Sequence, residues 1–69
     1  MKWTDAEDIA LALSEKHQGT DPLTVRFTDL RARVIALENF DDRPEASNES
    51  RLEAIQMAWH EEWKERQRG

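Results

Sequence analysis

Eleven residues, Asn39 to Glu49 (Asn-Phe-Asp-Asp-Arg-Pro-Glu-Ala-Ser-Asn-Glu), constrain this 69-residue chain more than any other stretch. Pro44 cannot continue a helix, and Asp41 and Asp42 are turn formers. Ser47 and Asn48 are N-cap types that stand before a new run of helical periodicity. The stretch therefore separates two helical blocks and displays carboxylates between them, with Phe40 as an aromatic anchor.

Upstream, Thr4 and Glu7 have the spacing of a capping box, which predicts a first helix starting there. Ala6, Ile9, Ala10, Leu13 and His17 make its inward stripe, Gly19 is its stop, and Leu11 falls at the edge of the core. Asp21-Pro22 starts a short helix to about Arg26, with Asp as cap and proline where its missing N–H costs nothing. Thr28-Asp29 then opens a third helix that turns Leu30, Val34 and Leu37 inward and ends near Glu38. Two helices joined by so tight a turn read as a helix-turn-helix.

Downstream, Ser47 or Asn48 caps the longest helix, with Leu52, Ile55, Trp59 and Trp63 on one face. The polar residues after Trp63 have nothing to bury, so fraying is expected over 64–69. Val25 to Thr28 alternates only briefly, enough for a short extended bridge at most. The expected architecture is all-α, one domain of three to four helices over 1–63 with little or no sheet.

Composition narrows the function. With no cysteine there is no thiolate nucleophile, no disulfide, no zinc knuckle and no thiolate cradle for an iron-sulphur cluster. No serine–histidine–aspartate arrangement or phosphate-binding glycine loop is visible, so catalysis is not expected. The longest apolar run, Ile9 to Leu13, is far short of a membrane span, and no signal-peptide core follows Met1. A cytoplasmic monomer is expected. The net charge of −5 resides in the first fifty residues, which carry eleven acids against six bases. Such a face repels nucleic-acid phosphates and attracts cations or basic protein surfaces.

Asp5, Asp8, Glu38, Asp41, Asp42 and Glu45 are the candidate site residues. Their oxygens suit hard or borderline divalent cations, although no register has the glycine and closing glutamate of an EF-hand. The plainer reading is that Asp5, Asp8 and Glu49 complement helix dipoles while Asp41 and Asp42 form turns. His17 and His60 lack ligand spacing, and Trp3, Trp59 and Trp63 read as core or staple residues. Arg26, Arg31 and Arg33 on the helix-turn-helix support one competing function, a small DNA-binding regulator. Asp29 and Glu38 flank the same helix, and the net charge opposes that reading.

Several short runs, in order, resemble the IscX family of bacterial iron-sulphur cluster assembly. They are Lys2-Trp3-Thr4-Asp5, Asp21-Pro22, Thr24 to Asp29, Leu37-Glu38, Phe40-Asp41-Asp42, Pro44, Ala46 to Glu49 and Leu52 to Ile55. The resemblance implies a small acidic winged-helix-like domain without catalytic activity or tightly bound cofactor. It implies binding to the cysteine desulfurase, weak binding of Fe²⁺ through surface carboxylates, and overlap with the bacterial frataxin-like protein. The six carboxylates above are then weak iron ligands, docking charges, or both. Arg26, Asp29 and Asn48 match family anchors and are expected to orient turns and caps. Arg43 departs from the pattern, where another acid is expected between Asp42 and Pro44.

Overall fold

The structure, a computed structural model, describes residues 1–68. It is all-helical, and no described residue belongs to a strand. Three α-helices follow in order: α1, Ala6–Lys16; α2, Phe27–Ile35; and α3, Glu49–Arg68. Single 3-10 turns at Pro22–Thr24 and Pro44–Ala46 precede α2 and α3. α1 packs chiefly on α3, and α2 closes the remaining side.

The inward stripes meet in one core. Trp3, Ile9, Leu13, Leu30, Val34, Ile55 and Trp59 are almost wholly withdrawn from solvent, with Val25, Leu37 and Leu52 at its margin. Asn48 caps α3, its Oδ1 accepting from the Arg51 backbone N–H at 2.9 Å. Asp21 caps the first 3-10 turn in the same way, accepting from Leu23 N–H at 3.0 Å. Gln56 on α3 holds that turn in place, its Nε2 donating to the carbonyls of Pro22 at 3.1 Å and Val25 at 3.3 Å.

Local chemistry departs from the sequence expectations at five places. The Thr4–Glu7 capping box does not form, and α1 starts one residue later behind Asp5. Residues 2–5 close a turn instead, with Asp5 N–H on Lys2 C=O at 2.9 Å and Lys2 N–H on Asp5 Oδ2 at 2.8 Å. That turn commits Trp3 to the core and leaves Thr4 exposed. The short helix expected from Pro22 to Arg26 is a single 3-10 turn, because Val25 is already extended. α2 ends at Ile35 rather than near Glu38, and successive turns carry Leu37 back into the core. Trp63 is only half-buried and stacks on His60, centroids 5.8 Å apart, instead of entering the core. Where fraying is expected, α3 continues through Arg68, and Arg66 Nε donates to Ser14 Oγ at 3.1 Å; Gly69 lies outside the described residues.

A core this small makes each large side chain decisive. Trp59→Ala is expected to cost ~3–5 kcal/mol, as much as the ~3–5 kcal/mol such a domain has in total. Urea titration followed by circular dichroism should show no cooperative transition for that variant at 25 °C. Ile55→Val should cost ~0.5–1.5 kcal/mol and keep a cooperative transition with a lower midpoint.

Candidate functional site

The residues before α1 and the loop before α3 are fastened to each other. Trp3 is the centre: its indole Nε1 donates to Arg43 C=O at 2.7 Å and its backbone N–H to Asp42 Oδ2 at 3.1 Å. Its ring meets Phe40 edge-on, with centroids 4.8 Å apart at 69°. On either side of it, Asp41 N–H donates to Met1 C=O at 2.9 Å, and Lys2 Nζ donates to Asp41 C=O at 3.0 Å. The Met1 amino group reaches Asn39 C=O and Asp41 Oδ1.

This clasp divides the six candidate carboxylates into two kinds. Asp41 and Asp42 are tied into the clasp, Asp42 half-buried and Asp41 with its side chain still 67% exposed. Asp41 pairs with the Met1 amino group at 3.0 Å and Lys2 Nζ at 3.6 Å. Asp42 uses both oxygens, Oδ2 for Trp3 N–H and Oδ1 for Arg43 N–H at 2.7 Å. Asp5 is half-buried and accepts from Lys2 N–H. The other three face outward. Asp8 and Glu38 are exposed, and Glu45 is exposed with a long, solvated pairing to Arg43 at 3.8 Å. Glu38 borders a shallow depression of about 340 Å³ that it shares with Glu15 and Lys16.

The structure therefore does not bring the six together as one metal centre. Among the described residues no three His, Asp or Glu side chains converge in a group that could hold an ion. What it offers is a set of dispersed exposed oxygens, suited to long-range attraction more than to ligation.

Charge state follows these contacts. The Trp3 and then the Arg43 backbone N–H hold the Asp42 carboxyl below the usual carboxylate range, with Lys2 and Arg51 assisting and desolvation opposing. The Met1 amino group does the same for Asp41, helped by Lys2. His17 moves below its ordinary value because of partial burial first, then the neighbouring Arg33 and Lys16 charges. Its Nδ1 faces Arg33 Nη1 at 3.1 Å, and its ring lies 6.2 Å from that of Trp59. A neutral imidazole can accept from the guanidinium there, so His17 is a structural acceptor and not the charged helix end that the dipole would favour.

Of the three arginines that would support a DNA reader, Arg31 and Arg33 are half-buried and tied to other side chains, while Arg26 is exposed. Arg31 Nε donates to Ser47 Oγ at 3.1 Å, and Arg33 is held at His17. Ser14, not singled out by the periodicity, is 2% exposed and joins two helices, donating to Leu11 C=O at 2.9 Å and accepting from Arg66. A serine within an otherwise apolar stripe was its only trace in the sequence.

The family model for iron-sulphur cluster assembly matches residues 1–64. The chain belongs to that family. The match spans the clasp, all three helices up to the last turn of α3 and every candidate carboxylate, in agreement with the resemblance to IscX. An uncharacterized protein of Pseudomonas aeruginosa is 50% identical over 62 residues, 90% of this chain and 94% of that relative. The family places the protein in iron-sulphur cluster assembly. No helix among the described residues is long and apolar enough to cross a membrane.

Two pH effects follow. Asp42 has a depressed folded-state pKa, so its contribution to stability is complete above the unfolded value and is lost as pH falls below about 4. Asp42→Asn keeps one acceptor oxygen of two and should lower the melting midpoint at pH 7 by a few degrees. It should also flatten the acid limb of the stability curve, and an unchanged limb would show that the clasp is not ionic. His17 is likewise depressed, so its stabilising neutral form is complete above about pH 6.5 and is lost as pH falls through the folded value. Thermal melts between pH 8 and 5 should therefore decline for the wild type and decline less for His17→Gln.

Proposed function

We propose that this protein is a non-catalytic adaptor of iron-sulphur cluster assembly. In this reading it is a cytoplasmic monomer that docks on the cysteine desulfurase through its exposed carboxylates. The observation that carries the reading is the exposed set Asp8, Glu38 and Glu45 on a chain of this family, none of which is tied into the clasp. Dispersed exposed charges accelerate encounter with a basic surface and are screened by salt. They supply little of the rigid geometry that tight metal binding needs.

Fe²⁺, as cargo, is held weakly and exchanges fast at these same carboxylates, with the Asp5 and Asp8 end of α1 as its entry. A cation there lowers the charge available for docking, so iron and desulfurase compete. A frataxin-like protein using the same basic surface of the enzyme competes as well. The arrangement of α2 behind the Pro22–Thr24 turn is taken as winged-helix-like in descent, with its DNA-reading function absent. The inward bonding of Arg31 and Arg33 supports that last point.

Charge reversal at Asp41 and Asp42 would confound docking with folding, since both hold the clasp. The informative variant is Asp8→Lys with Glu38→Lys and Glu45→Lys. Calorimetric titration into the cognate cysteine desulfurase at low salt should show saturable wild-type binding that weakens with salt. The triple variant should bind about tenfold or more weakly at an unchanged melting temperature. Wild-type affinity in the triple variant would overturn the docking face, and steeply salt-dependent duplex DNA binding by the wild type would overturn the adaptor reading.

A further inference from the structure

Between α1 and α3, away from the clasp, runs a groove of about 320 Å³ lined by Glu7, Ala10, Leu11, Ala58, Glu61 and Glu62. Ala58 of α3 is half-buried beside it, over a fully buried Ala10 of α1. Leu11 forms a wall and remains 42% exposed, an apolar side chain that the core does not use. Three glutamates stand around it. Glu61 pairs with Lys64 at 3.2 Å on an exposed face, a contact that water and a partner can readily exchange. Glu7 and Glu62 carry no ion pair to another described residue.

We infer that this groove is a docking site for a basic amphipathic segment of a partner protein. An aliphatic side chain of that segment sits on Ala58 against Leu11, and flanking lysines or arginines meet Glu7, Glu61 and Glu62. Charge complementarity selects this occupant. A second copy of the chain would bring the same acidic rim and be repelled, and the glutamates do not converge as a metal-binding group. An apolar contact within an acidic frame fixes register where charge alone gives only attraction. The inference rests on the adaptor reading for the partner's identity, the cysteine desulfurase, and adds to it a salt-resistant anchor.

The test is calorimetric titration of the full chain into the desulfurase at low and high salt, with Leu11→Glu, Leu11→Met and Leu23→Glu beside the wild type. Leu23 is an equally apolar, 54% exposed residue outside the groove, so its variant controls for added charge and lost apolar surface. Leu11→Glu should weaken binding about tenfold with the deficit persisting at high salt. Leu11→Met and Leu23→Glu should stay within about twofold of the wild type, and all variants should melt alike. Wild-type binding by Leu11→Glu, or equal weakening by Leu11→Glu and Leu23→Glu, would overturn the groove and leave the adaptor reading standing. Absence of wild-type binding at either salt would overturn both.

Discussion

The Trp3 indole, donating to the Arg43 carbonyl from within the core, is the contact on which the rest of this structure depends. α1, α2 and α3 bury their stripes against one another, but nothing in helix packing alone fixes the path of the thirteen residues between α2 and α3. Trp3 does so twice, through its ring on Phe40 and through two donors on Asp42 and Arg43. An aromatic with a polar edge is suited to this work, because its area is buried while its N–H satisfies a loop carbonyl that would otherwise need water. The same fastening explains why Arg43 and Pro44 can stand exposed at the start of the 3-10 turn before α3.

One consequence concerns charge. In a chain of net −5, carboxylates crowded into a short loop should repel one another, and two of them are instead absorbed by backbone N–H groups and cations from the N-terminal segment. Acid count is therefore a poor measure of acid availability. The carboxylates that sequence proximity makes most conspicuous, Asp41 and Asp42, are the most committed. Those less conspicuous, Asp8 and Glu38 near the helices and Glu7 and Glu62 across the groove, face solvent or are only partly covered.

Helical periodicity made the core legible. Ile9, Leu13, Leu30, Val34, Leu52, Ile55 and Trp59 all lie where a period of 3.6 residues puts them. The all-helical class was legible for the same reason, and the cap of α3 was legible as Ser47 or Asn48, of which Asn48 serves. What was not legible depends on contacts between distant residues. Thr4 and Glu7 satisfy the capping-box pattern, yet the pull of Trp3 into the core closes a different turn through Asp5. Trp63 keeps the phase of the apolar face but lies past the end of the neighbouring core, so it stacks on His60. Arg66 and Ser14 are 52 positions apart, and no local rule pairs them. The tethering roles of Asp41, Asp42, Arg31 and Arg33 were hidden likewise, because each has a partner from another part of the chain.

A domain of this size has little interior to devote to a site. Its core is fully used in holding three helices, so recognition falls to surfaces, and surfaces of one sign attract many partners equally. Attraction without register gives fast encounter and poor discrimination. In the proposed docking groove, an exposed leucine beside Ala58, framed by glutamates, would supply what the charges lack: a fixed point whose contribution does not vanish with salt. If iron loads the carboxylates at the start of α1 and weakens the electrostatic part of docking, the apolar part is left unaltered. Under the proposed docking the protein would then loosen on its partner without leaving it, the behaviour that an adaptor answering to metal would need.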